Sequence, residues 1–309
     1  MKVVEASAPG RCGIVGNPSD IYGGVVLSCS VPARATCRLT LGVPTQLPED
    51  PTLWHAATAR FPLDNVRVEW TSDIPRSSGL AGSTALLAAT LAAILTAKGE
   101  PPRLKKKVDF AWFAELVRDV EKNEAGVQCG FQDAYMVVHG GIQRMEFMGK
   151  SPTDIGPFAT LEPLRQELPF LLVTTGVERL SGSVHGPVIE RWLAKDSDIR
   201  SAVKQVTRLG TRGSAAFLKG DMTELATCMN ENQSLIRGWG GSGEAIDRLV
   251  QDCMEEGALA AKLAGAGMGG TVIALSSNLK ELEERLRSRR YENFMRPTSQ
   301  PGLTIEVLE

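Results

Sequence analysis

The chain has 309 residues, 43% of them hydrophobic, and its 34 basic and 36 acidic residues nearly cancel to a net charge of -2. That length and apolar content suit one large core or, as the better expectation, two smaller ones. Balanced charge with one short basic run, Lys105 to Lys107, speaks against a nucleic-acid partner. The N-terminus lacks a signal-peptide core, and no apolar stretch approaches the roughly 20 residues that span a bilayer, so a cytoplasmic protein without a membrane partner is expected. Six cysteines (Cys12, Cys29, Cys37, Cys129, Cys228 and Cys253) show neither CxxC pairing nor metal-ligand spacing and read as reduced, buried thiols.

Taken in chain order, Lys2 to Ser7 reads as a strand followed by a Gly/Pro-rich loop. Val25 to Leu41, rich in Val, Thr and Ala, reads as strand or hairpin, and Val66 to Thr71 alternates like a half-buried strand. Ser83 to Lys98 is an Ala/Leu-rich buried helix, and Phe110 to Glu124 carries apolar residues at helical spacing. The proline-rich stretch Gly149 to Glu167 holds the domain boundary, giving units 1–165 and 166–309. Phe170 to Thr175 follows as a buried strand, and then four helices: Pro187 to Ala194, Ile199 to Leu218, Met222 to Ile236 and Gly243 to Leu263. Strands Thr271 to Leu275 and Leu303 to Leu308 enclose the charged helix Leu279 to Arg289. Strands and helices do not strictly alternate, which favours an α+β fold of two domains over a doubly wound one.

Three glycine-rich segments stand out. The first, Ala8-Pro9-Gly10-Arg11 through Gly16-Asn17-Pro18-Ser19-Asp20 to Gly23-Gly24, lets backbone approach a ligand and carries an Arg and an Asp. The second, Pro75-Arg76-Ser77-Ser78-Gly79-Leu80-Ala81-Gly82-Ser83-Thr84, opens directly into the Ala/Leu helix. Free N–H groups and the positive end of the helix dipole make such a turn an anion site. Ser83 or Thr84 would cap the helix and offer a hydroxyl to Mg²⁺. No GxxxxGK[ST] occurs. The third, Gly265-Ala266-Gly267-Met268-Gly269-Gly270, spells GxGxxG but follows a predicted helix and precedes a predicted strand, the wrong context for a dinucleotide site. A tight loop packed on the other glycine loops is the better expectation.

Between helix and loop, Glu121 and Asp133 flank Gly126 and Gly130. Phosphoryl transfer needs a phosphate cradle, Mg²⁺ on oxygen ligands, a positioned acceptor hydroxyl and a cation for developing charge. Ser83 and Glu121 suit the metal, Asp133 the base that takes the acceptor proton, and Arg11 the cation.

In this order the three segments resemble the signature motifs of the GHMP kinase superfamily, and Glu121 to Asp133 is similar to the E…GVxCGxxD pattern its galactokinases carry. The resemblance covers nearly the whole chain. It implies a ribosomal-protein-S5-like N-terminal domain, a ferredoxin-like C-terminal domain, and ATP with Mg²⁺ between them. It places Ser83 and Glu121 on the metal ligands, and Asp133 and Arg11 on the catalytic aspartate and the basic residue near the transferred phosphate. It assigns Pro75, Ser78, Gly79, Leu80, Ala81, Gly82, Ser83 and Thr84 to the nucleotide. Asn17, Ser19, Asp20, His185 and Gly267 join Arg11 and Asp133 around the acceptor. Gly16-Asn17-Pro18-Ser19-Asp20 departs from the Gly-Glu-His-x-Asp of galactokinases. Together with Pro75-Arg76, Gln132-Asp133 and Ser183-Val184-His185 before Arg191-Trp192, it most resembles the glucuronokinase branch of sugar-1-kinases. An acid substrate would want a cation from Arg76, Arg179, His185 or Arg191. The alternatives are a kinase for another sugar, a polyol or an isoprenoid alcohol, a phosphorylation-assisted decarboxylase, and a non-catalytic ATP- and sugar-binding regulator. The chain is expected to act as a monomer or homodimer.

Overall fold

A computed structural model describes residues 2–177, 185–265, 267 and 270–308. The first half forms β1 (Val3–Val15), β2 (Val25–Leu41), α1 (Thr52–Arg60), β3 (Val66–Ser72), α2 (Gly82–Ala97), α3 (Lys107–Asn123), α4 (Gln132–His139), β4 (Ile142–Glu146) and β5 (Thr160–Leu164). The second forms β6 (Phe170–Thr174), α5 (His185–Leu193), α6 (Ser197–Lys219), α7 (Met222–Gly238), α8 (Glu244–Glu255), β7 (Ala260–Leu263), β8 (Thr271–Leu275), α9 (Leu279–Ser288), β9 (Phe294–Met295) and β10 (Thr304–Leu308).

Two antiparallel sheets result. The first runs β10-β1-β2-β4-β5, with β3 also on β2; the second runs β7-β8-β6-β9. The length of β2 lets it serve two partners: residues 25–29 pair with β4 and residues 35–41 with β3. Helix α2 is apolar on every side and is buried between β1, β2 and the neighbouring helices, so it forms the centre of the larger core. A second core lies between α8, α9 and the second sheet. Among the described residues no helix is long and apolar enough to cross a membrane.

The structure departs from or adds to the sequence reading in four places. Pro9-Gly10-Arg11 is not a loop but lies within β1, where the register slips between Pro9 and Arg11. A bulge accommodates a proline that cannot donate and re-aims the side chain that follows. Residues 124–146 hold α4 and β4. The helix expected over Gly243 to Leu263 stops at Glu255, where Gly257 (φ 95) ends it, and Ala260–Leu263 becomes a strand buried on both faces. The third glycine segment therefore links two strands, as a hairpin, rather than a helix to a strand. Finally, the strand read at Leu303 to Leu308 is β10, which pairs with β1, so residues 304–308 sit in the first sheet.

Candidate active site

A cavity of about 810 Å³ is lined by all three glycine segments and by the Glu121–Asp133 stretch. That volume falls in the usual range for small-molecule sites.

The start of α2 supplies one wall, through Pro75, Ser78, Gly79, Ala81, Gly82, Ser83 and Thr84. Ala81 occupies the N-cap position in the left-handed region (φ 62), and no side chain caps the helix. Ser83 and Thr84 are already inside the first turn, so neither is the cap expected of them. The first-turn N–H groups are thereby left for an anion. The Ser78 hydroxyl is buried without a hydrogen-bond partner among the described residues. Ser83 is exposed to the cavity, whereas the Thr84 hydroxyl donates to Glu121 Oε1 at 2.7 Å. Leu80 does not line the cavity; it is buried, and its carbonyl accepts from the Arg11 N–H at 3.0 Å.

Glu121 ends α3 on the cavity, 3% exposed and without an ion-pair partner among the described residues. Burial pushes its carboxyl up to about 7, against the hydrogen bond from Thr84 and with the help of the nearby Asp133 charge.

Asp133, at the start of α4, sits opposite Arg11. Arg11 Nε donates to Asp133 Oδ1 at 2.7 Å and Nη2 approaches the same oxygen at 2.6 Å. Arg11 Nη1 donates to the carbonyls of Gly79 at 2.7 Å and Ala264 at 3.3 Å. One buried guanidinium thus joins all three glycine segments to the carboxylate. Asp20 Oδ2 accepts from the N–H groups of Phe131 and Gln132 at 2.7 and 2.9 Å, which caps α4 just ahead of Asp133. Burial raises the Asp20 carboxyl, and those two N–H groups oppose the rise.

The remaining candidates divide. Asn17 and His185 line the cavity. The Asn17 amide already donates to Gly265 O at 3.2 Å and accepts from Lys262 Nζ at 2.7 Å. Ser19 does not reach the cavity: it lies in the 3-10 turn Ser19–Tyr22, and its hydroxyl donates to Val25 O at 3.2 Å. Gly267 also lies off the cavity, against the Gly241 carbonyl. Of the cations suggested for an acid substrate, Arg76 lines the cavity, Arg191 instead pairs with Asp196 at 2.8 Å, and Arg179 falls outside the described residues, as do Ser183 and Val184. The hairpin loop packs directly on the α2 turn. A Cβ on Gly265 would come within 2.3 Å of Gly79 O, and one on Gly270 within 2.5 Å of Ser78 O. Only glycine permits that approach. Lys262 was missed, although a lysine in the otherwise apolar Ala260–Leu263 run was the signal.

Among solved structures the chain is similar to Lactococcus lactis galactokinase complexed with galactose (TM-score 0.77, 17% identity, 98% of this chain and 95% of that one). It is similar also to L. major mevalonate kinase in complex with R-mevalonate (TM-score 0.73, 21% identity, 96% and 95%). These likenesses show the fold. Residues 52–141 match the GHMP kinases N terminal domain and residues 214–293 the GHMP kinases C terminal domain. The chain belongs to the GHMP kinase family. Two curated Arabidopsis thaliana relatives, probable glucuronokinase 2 and glucuronokinase 1, are each 31% identical over 72% of this chain. The match spans 61% and 62% of their own lengths.

Proposed function

We propose that this protein is a cytoplasmic, ATP-dependent kinase that phosphorylates a hydroxyl of a sugar or sugar acid, with the anomeric hydroxyl of glucuronic acid as the preferred acceptor. The observation that carries the reading is the Arg11–Asp133 pair facing the uncapped start of α2 within one cavity.

The α2 N–H groups and the buried Ser78 hydroxyl receive the phosphates. Asp133 keeps Oδ1 on Arg11 and presents Oδ2 to the acceptor hydroxyl. The acceptor oxygen bonds to the γ-phosphorus as the bond to the ADP oxygen breaks, and the hydroxyl proton passes to Asp133. Arg11 fixes the carboxylate and offsets charge beside the transferring group, rather than reaching out alone. Glu121 and Ser83 fit Mg²⁺: a buried carboxylate with no ion-pair partner among the described residues lines the same cavity as an exposed hydroxyl at the start of α2. When bound, the metal neutralises phosphate charge. The two glucuronokinase relatives favour the acid acceptor, and Arg76 and His185 are the cavity residues suited to its carboxylate.

The test is ATP consumption with Mg²⁺ across free sugars, uronic acids, polyols and mevalonate. Turnover with glucuronate is expected. Turnover only with neutral sugars or mevalonate would move the acceptor, and none with any of them, while ATP still binds, would remove the kinase reading.

A further inference from the structure

Behind the cavity floor lies a lysine that the chemistry above does not use. Lys262 sits on β7, an edge strand of the second sheet, and is fully buried. Its Nζ donates to Asn17 Oδ1 and to Leu263 O, both at 2.7 Å, and it makes no ion pair among the described residues. Burial pulls its ammonium down to about 7, with Cys12 opposing and the Arg11 charge adding to the fall. Such a group disfavours folding: the unfolded chain holds a proton between about 7 and the ordinary 10.5 that the folded chain releases. Removing the ammonium would relieve that cost.

What the lysine does instead is hold two loops together. Asn17, gripped through Oδ1, donates its own Nδ2 to Gly265 O. Asn232 of α7 receives the Gly16 N–H at 2.8 Å and donates to Asn17 O at 3.2 Å, while Gly13 N–H donates to Ala264 O at 2.8 Å. Ala264 O is also an acceptor for Arg11. The chain of contacts therefore runs from Lys262 through Asn17 and residues 264–265 to the guanidinium that orients Asp133.

We propose that Lys262 is a positioning residue for the phosphoryl transfer: its grip on Asn17 sets the first glycine segment against the hairpin loop and so fixes Arg11 and Asp133. This rests on the kinase reading above. A device for stability would not use an unpaired buried ammonium; a device for alignment gains from a rigid, directional donor at the junction of two sheets.

The experiment compares wild type with Lys262→Met and Asn17→Ala in the full chain. Lys262→Met is expected to lower kcat by about tenfold to 10²-fold, as misplacement of reacting groups does, while the nucleotide Kd stays within about twofold. Its Tm at pH 7 should equal or exceed that of wild type. Amide exchange should quicken at residues 13–17 and 264–265 and nowhere else, in Lys262→Met and Asn17→Ala alike. Unchanged kcat, unchanged exchange at those two segments, or a fall in Tm with exchange raised throughout would each overturn the proposal. If wild type phosphorylates no acceptor, the kinase reading fails on its own. The exchange data then still decide whether Lys262 holds the loops, and unchanged protection refutes it.

Discussion

The two carboxylates of the cavity occupy opposite electrostatic situations. Asp133 is given a cation by the protein, with Arg11 on one oxygen. Glu121 has no ion-pair partner among the described residues; it accepts from the Thr84 hydroxyl, and burial pushes its carboxyl up to about 7. The first is held in place by Arg11 before any ligand arrives. The second, pushed up by burial, is a weaker anion until a cation enters with the nucleotide. The contrast separates a group that acts on the acceptor from a group that waits for a metal.

The most severe way to break this contrast is Asp133→Asn. The Arg11 hydrogen bond has an amide oxygen to replace the carboxylate, so folding and nucleotide affinity should hold. Turnover should fall by about 10²-fold or more, the scale of a lost general base. Single-turnover kinetics with a nucleotide titration checks it, and near-normal turnover would remove Asp133 from the chemistry. Next comes Glu121→Gln, expected to weaken Mg²⁺-dependent nucleotide binding by about tenfold or more. In wild type that binding should strengthen as pH rises through about 7, with a proton released, because Glu121 must ionise to meet the metal. Calorimetry in buffers of different ionisation enthalpy would record the proton, and Glu121→Gln should abolish it. Without ligand the sign for stability reverses. Folded Glu121 retains its proton above the ordinary 4.5, so its contribution is present at low pH and lost as pH rises toward about 7. The smallest effect should be Ser83→Ala: a threefold to tenfold loss of Mg²⁺-nucleotide affinity, about 1 kcal/mol, with Tm unchanged because Ser83 is not the helix cap. A fall in Tm with affinity intact would return it to a structural role.

Much of this was legible in local pattern. The α2 helix and its glycine turn announce themselves because an all-apolar run preceded by Gly and Ser has few other uses. The pairing of Arg11 with Asp133 was not legible, since residues distant in the chain meet only through the fold. The strand Ala260–Leu263 was hidden for a different reason. Its alanines favour helix by propensity, and a strand buried on both faces shows no alternation to contradict them. The run Pro9-Gly10-Arg11 looked like a loop because a bulged strand tolerates the residues that turns also use. Lys262 left one charge in an apolar run as its trace, and burial alone reveals what it grips.

The pairing of β10 with β1 has a consequence for biosynthesis. Residues 3–7 are made some three hundred residues before their edge partner, 304–308. A ribosome-bound chain thus carries the β1 edge open while the rest of the first sheet is already complete in sequence. Exposed edges of that kind template association with other strands. Stalling late in translation should therefore expose this protein to chaperones far more than its finished stability would suggest.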